Sequence, residues 1–254
     1  NAYRRGMIDS FSIPMPPSLS GVPITNGIQA LSIQQPRYFS VFFNEEQNEL
    51  FADADVRKAL QYAINKQALV QTALDGQASV IDSPLLPGII DIAAPEQTYT
   101  FDPNKAIELL EEADWTLPEG GTIRQKTDED TTQTLSFKLM TLNLFVLPDV
   151  AQTLVNQWKE IGVDVELELL PISELLAQLQ GRSYEGLLYG EILAPDPDPF
   201  VFWHSFQRKD PGLNIALYDN SEVDKLLETA RATDNDTQRI ELYNTVQNLI
   251  IEDS

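Results

Sequence analysis

The chain has 254 residues, 43% of them hydrophobic, enough for one large domain or two small ones around a buried core. Seventeen Lys and Arg face 39 Asp and Glu, a formal net charge of −22; such a field repels phosphate backbones and anionic membrane surfaces, so no nucleic-acid partner is expected. Cysteine is absent and His204 is the single histidine, which excludes disulfides, thiol nucleophiles, Cys-ligated metals and multi-His metal sites.

In chain order, residues 7–13 (MIDSFSI) and 37–43 (RYFSVFF) read as strands, separated by a stretch too rich in Pro and Gly for regular structure. The second strand is apolar on both faces, as a buried strand or a hinge crossing would be. Asp53 or Asp55 can cap a helix with Val56, Leu60, Ala63 and Ile64 at helical spacing, and a further helical run, KQALVQTAL, stops at Gly76. Residues 80–99 read as an irregular loop. Asp102 and Pro103 then open a helix whose inner face is Ile107, Leu110 and Ala113. PEGGTIRQKTDEDTTQ follows as a hairpin or an exposed loop.

The clearest pattern lies further on. LSFKLMTL (135–142) is a strand, and the next helix turns Val150, Leu154, Trp158 and Ile161 inward and stops at Gly162. In VDVELELL, Val163, Val165, Leu167 and Leu169 alternate with acids, as a strand covered on one side requires. ISELLAQLQG is a short helix and YEGLLYG a returning strand. Strand–helix–strand–helix–strand at such spacing predicts an α/β layer. Two helices close the chain, one capped at Ser221 with Val223, Leu226, Leu227 and Ala230 inward, the other from about Asp236 with Ile240, Tyr243, Val246 and Ile250 inward.

The catalytic inventory is thin. Asp196 and Asp198 sit two apart between Pro195, Pro197 and Pro199, near Glu191 and His204. Paired carboxylates could serve glycoside hydrolysis, but in a chain this acidic, Asp-Pro-Asp-Pro reads better as a rigid structural turn in which Asp caps backbone N–H groups. No G-x-S-x-G elbow supplies His204 with a nucleophile. No calcium loop or glycine-rich phosphate loop occurs, so neither a metal nor another cofactor is expected. Aromatics are the richer feature. Tyr38, Phe39, Phe42 and Phe43 mark one strand, and Phe200, Phe202, Trp203 and Phe206 follow the prolines, either as core or as a cleft wall. Asn44, Asn143, Tyr189 and Glu191 stand at or near predicted strand ends, where convergent polar groups of a ligand site belong.

Several segments resemble, in order, the family 5 extracellular solute-binding proteins, the peptide-, oligopeptide- and nickel-binding components of ABC importers. ADADVRKALQYAINKQALVQTALDGQA keeps the pattern V-R-x-A-L-x-x-A-I-[ND] from Val56 to Asn65. YFSVFFN precedes it. FDPNKAIELLEEADW, W-K-E-I-G-V (158–163), D-P-D-x-F from Asp196 to Phe200 and YDNSEVDKLLETAR follow. The resemblance implies an α/β, periplasmic-binding-protein-like fold (type II, dipeptide-binding-protein class), of which this chain would be the second lobe, a mixed sheet with flanking helices. Residues 1–35 would be the tail end of the first lobe and the hinge crossing, and 36–254 the second, C-terminal lobe. The first residue, Asn1, fits a fragment, with most of the N-terminal lobe missing. It further implies capture of a peptide or other small solute between two lobes that close on it, and delivery to ABC permease subunits, without chemistry. The full-length protein would be extracellular or periplasmic, anchored as a lipoprotein. A receptor module on the same fold and an acid-dependent hydrolase are the alternatives. The expected ligand-binding residues are Phe43, Asn44, Asn143, Tyr189, Gly190, Glu191, Leu193 and Trp203, with Pro195, Asp196, Pro197 and Asp198 as the structural turn. The sequence departs from the peptide binders at one spot. Where they carry a Trp and, three residues on, an Asp that pairs with the peptide's amino terminus, this chain has Gly190 and Leu193, which leaves Glu191 as the neighbouring substitute.

Overall fold

A computed structural model describes Arg5, Met7 and residues 35–86, 91–128, 131–192 and 198–254. The strand expected at 7–13 lies outside them, apart from Met7. Strand β1 (Arg37–Phe43) leads, through a 3-10 turn at Glu49–Ala52, into helices α1 (Ala54–Tyr62) and α2 (Lys66–Ala73). Asp53 is the cap of α1, its carboxylate accepting from the Asp55 N–H at 2.9 Å, and Asn65 caps α2. Helix α3 (Pro103–Glu112) is capped by Asp102 as expected, but its buried stripe is Ala106, Leu109 and Leu110, while Ile107 and Ala113 are only half-buried.

The acidic stretch forms a hairpin, β2 (Gln125–Asp128) paired with β3 (Thr131–Thr134). The expected α/β layer follows as β4 (Ser136–Leu142), α4 (Leu147–Glu160), β5 (Asp164–Leu170), α5 (Ile172–Gly181) and β6 (Gly186–Ile192). After the single turn α6 (Phe200–Trp203) come α7 (Ser221–Ala232) and α8 (Asp236–Asp253). The cap of α7 is Asn220 rather than Ser221: its side chain accepts from the Glu222 and Val223 N–H groups, and Ser221 is the first helical residue.

The sheet order is β1-β6-β4-β5. β4 runs parallel to both β5 and β6, and β1 runs antiparallel to β6. The crossovers out of β4 and β5 therefore proceed in opposite directions and place α4 and α5 on opposite faces. On the α4 face, Phe137, Leu139, Val165 and Leu188 pack with Leu60, Leu110, Leu154 and the fully buried Trp158, whose indole N–H donates to the Leu60 carbonyl at 2.9 Å. On the α5 face, Tyr38, Phe42, Met140, Leu170 and Leu187 meet Leu175 and Leu179. A third cluster joins Trp203 and Leu85 to α7 and α8.

Two details fix the end of α4. Gly162 has φ +87°, and a Cβ there would lie 2.8 Å from Cγ of Arg124. Arg124 is itself buried and donates to the carbonyls of Ile161 and Trp115, so the turn out of α4 needs both a left-handed residue and the absence of a side chain. The irregular stretch before α3 is held by side chains of α8: Asn244 accepts from the Ala93 N–H, Asn248 accepts from the Glu96 N–H, and the Tyr99 hydroxyl donates to the Ile251 carbonyl.

Candidate functional site

In open α/β sheets the ligand crevice lies beyond the carboxyl ends of the strands, where crossovers diverge. Here that place is between β4 and β6. Their paired register runs only through Leu139–Gly186 and Met140–Leu187, after which the Thr141 hydroxyl donates to the Leu188 carbonyl at 2.8 Å. Just beyond the end of β4, Asn143 and Phe145 are exposed. Asn143 keeps its backbone N–H on the Leu170 carbonyl at 2.9 Å, and Phe145, at φ 53°, is 60% exposed.

The apolar cover also runs out at this end. β5 was expected to be buried along one whole side. Val165 is buried and Leu167 half-buried, but Leu169 is 38% exposed. Ile172 and Leu176, at the start of α5, and Ile192, which ends β6, stand open to solvent as well. Isolated exposed leucines need no explanation, but several at one sheet end do. Both crossover helices begin here without a side-chain cap, so the positive ends of their dipoles face the same region.

Near the end of β6 a carboxylate is buried. Glu191 sits opposite Tyr38 in the β1–β6 register, and the Tyr38 hydroxyl donates to Oε2 of Glu191. Both side chains lie on the α5 face and both are buried. Desolvation pushes the Glu191 carboxyl up to about 7, with the Tyr38 hydrogen bond opposing, and the same burial raises Tyr38. On the other face Phe39 lies across Gly190, where a Cβ would be 2.5 Å from the ring. A residue with a side chain at 190 would lift that ring off the strand.

The sequence-selected residues thus divide. Asn143, Tyr189, Gly190 and Glu191 belong to the carboxyl half of the sheet, and Tyr189 is partly buried. Phe43 and Asn44 do not come to that end. Phe43 pairs with Gly186 at the opposite end of β6 and stacks on Phe51 at 4.5 Å. Asn44 is fully buried, donating to the Arg182 carbonyl and accepting from the Glu46 N–H, which closes a turn. Trp203 is likewise placed in the interior, edge-on to Tyr218 at 5.8 Å. Leu193, Pro195, Asp196 and Pro197 lie outside the described residues. Asp198 accepts from the Phe200 N–H at 3.1 Å and pairs with Arg231 at 2.5 Å.

The elements of a hydrolytic site are present but differently engaged. His204 is buried, stacked on Phe200 at 4.0 Å, with Nδ1 accepting from the Phe206 N–H. The adjacent Ser205 hydroxyl donates directly to Asp224 at 2.5 Å, while the imidazole nitrogens stand 3.6 Å from Asp224 and 3.5 Å from Glu228, so hydroxyl, imidazole and acid are not linked in series. Phe206, by contrast with Phe200 and Trp203, is 82% exposed. Among the described residues no cluster of three or more His, Asp or Glu is arranged to hold a metal ion. Sequence reasoning missed Phe145, Ile172 and Ile192, because an exposed apolar residue and a buried one read alike until the strand order is known.

Comparison with known proteins agrees with this geometry. Residues 1–214 match the model for bacterial extracellular solute-binding proteins, family 5 Middle. The chain is 32% identical over 225 residues to the oligopeptide-binding protein AppA of Bacillus subtilis, covering 85% of this chain and 40% of that one. Against the nickel-binding periplasmic protein of Escherichia coli the identity is 31% over 195 residues, covering 75% and 36%. Among solved structures, AppA of Bacillus subtilis in complex with a nonapeptide superimposes with a TM-score of 0.76 at 31% identity, covering 86% of this chain and 43% of that one. NikZ from Campylobacter jejuni in complex with Ni(L-His) gives 0.74 at 27%, with the same coverage. The chain therefore spans less than half the length of each of these relatives.

Proposed function

The chain belongs to the bacterial extracellular solute-binding proteins of family 5, and we propose that it supplies one wall of a cleft that captures a peptide-like solute for an ABC importer. Residues 36–254 are then the second lobe, 1–35 the end of the first lobe and the crossing between them, and the remainder of the first lobe is the facing wall. The observation that carries this reading is the uncovered carboxyl end of the sheet. There β4 and β6 part, Phe145, Leu169, Ile172 and Ile192 are exposed, and polar groups at Asn143 and Tyr189 stand close by in the chain. Such a surface suits a mostly apolar ligand site with few polar anchors. The nonapeptide bound by AppA favours a peptide as the solute. Handing the solute to a membrane permease, and tethering as a lipoprotein outside the cytoplasm, complete the proposal.

Among the described residues, no helix is long and apolar enough to cross a membrane. The Glu191 carboxyl is engaged by Tyr38 on the α5 face, so this proposal gives it the role of holding β1 to β6 at the cleft rather than receiving a peptide ammonium group. Asp198, tied to Arg231 and to the Phe200 N–H, joins the start of α6 to α7.

The test is native mass spectrometry of the intact two-lobed protein, followed by small-angle scattering with and without the molecule that co-purifies. The proposal expects a bound peptide and a compaction on binding. A protein that carries no small molecule and keeps one scattering profile across a peptide panel would refute it.

A further inference from the structure

Arg37 opens β1 at the cleft end of the sheet. Because β1 runs antiparallel to β6, Arg37 lies directly against Ile192, the last residue of β6. Arg37 and Phe39, two apart on one strand, share a face, and the guanidinium carbon stands 5.1 Å from the centroid of the Phe39 ring. That ring is the one seated on Gly190. Backbone, ring and guanidinium thus form three tiers, and Gly190 makes the lowest tier flat enough for the other two.

What separates Arg37 from the other stacked arginine is its partner. Arg231 lies 3.5 Å over Phe200, but Asp198 holds its guanidinium at 2.5 Å. Arg57, Arg124 and Arg182 each donate to backbone carbonyls, and Arg208 and Arg239 pair with acids. Arg37 is only partly exposed, and among the described residues no carbonyl or acid accepts from its side chain. In a chain with 39 acids to 17 bases, a guanidinium with no acid beside it among the described residues is uncommon. A guanidinium held near an aromatic ring keeps its N–H donors, and a planar fork of such donors can make a two-point bond to a carboxylate.

We propose that Arg37 anchors a carboxylate of the solute, with the exposed Ile192 beside it taking the adjacent apolar group. This rests on the reading of the site as a peptide-capturing cleft. The preference for an anionic solute group is then set by one preorganised contact, against the repulsion of the protein's own −22 field.

The experiment uses the intact two-lobed protein and two probes: a pool of nonapeptides lacking Asp and Glu with free carboxyl termini, and the same pool amidated. Apparent affinities are measured by calorimetry for the wild type, R37Q and R37K, with melting temperatures checked for all three. The wild type should prefer the free-acid pool by about tenfold or more, as expected for a charge-assisted bidentate bond. R37Q should abolish the preference by weakening the free-acid pool and leaving the amidated pool within about twofold, and R37K, which keeps the charge without the planar fork, should fall between. Equal binding of both pools by the wild type, or a preference that survives in R37Q, overturns the role of Arg37 while leaving the cleft reading intact. Binding of neither pool overturns the peptide reading and this inference with it.

Discussion

At the amino-terminal end of β4 and β6 the large apolar side chains are buried against one another; at their carboxyl end, among the described residues, several are exposed. Phe137 near the start of β4 sits edge-on to Phe51 and Trp158 at 5.1 and 5.5 Å, Phe43 closes the same aromatic group, and the Glu185 carboxylate accepts from Asn48 and from the Lys138 N–H. Seven residues along, the strands have parted, Phe145 and Ile192 are exposed, and Arg37 lies near an aromatic ring with no acid accepting from it among the described residues. The two ends share one sheet and similar residue types. One is a core; the other is a surface whose apolar residues are left exposed, and it is this end that the proposed function assigns to the solute.

The comparison can be broken most sharply at Trp158. Trp158→Ala should cost about 3–5 kcal/mol, a fully buried indole leaving a cavity and an orphaned Leu60 carbonyl. Urea denaturation measures it, and a loss under about 1 kcal/mol would mean that the packed end is not the stabilising one.

Glu191 gives the next largest effect, and its sign depends on pH. Its carboxyl is raised from 4.5 to about 7 by burial, so the folded state holds the proton more tightly than the unfolded one. The associated stability is full below about 4.5 and falls as pH rises through 7. Glu191→Gln keeps the Tyr38 hydroxyl bonded and removes that dependence. It should be more stable than the wild type at pH 8, by at most about 3 kcal/mol, and the advantage should fade toward pH 5. A stability difference that does not change between pH 5 and 8 would contradict the burial of this acid.

Gly190→Ala sharpens the contrast between the two faces of β6. The new methyl must displace the Phe39 ring and with it the Arg37 guanidinium, at a cost of about 1–3 kcal/mol. If the variant melts within a degree of the wild type, Phe39 does not rest on the strand. The smallest effect belongs to the open end: Phe145→Ser, at a side chain 60% exposed, should change stability by no more than about 0.5 kcal/mol while weakening solute binding to the intact protein. A large loss of stability there would turn the cleft wall into core.

Much of this fold is legible from periodicity alone. Val150, Leu154 and Trp158 at helical spacing mark the buried face of α4, and Asp102 with Pro103 announces α3, because these signals are local to one element. The site is less legible because its residues are joined by pairings that no local pattern encodes. Tyr38 and Glu191 are 153 residues apart in sequence. Phe43 and Asn44 stand at a strand end just as Asn143 does, and only the antiparallel sense of β1 shows that theirs is the opposite end of the sheet. Leu169 continues the alternation of Val163 and Val165 without interruption, yet it has lost its cover. The alternation reports which face a residue points to, and the ends of the covering helices decide whether anything is there to meet it. Of the Asp-Pro segment only Asp198 lies among the described residues, where it pairs with Arg231 on α7.

The central claim is that the carboxyl end of this sheet is a solute-facing wall. Amide hydrogen exchange on the intact two-lobed protein, with and without its co-purified solute, tests it most directly. Protection should rise over 143–147 and 189–192 and stay unchanged over 205–213, where Phe206 and Leu213 are also exposed. Protection gained at 205–213 instead, or at neither segment, would contradict the account.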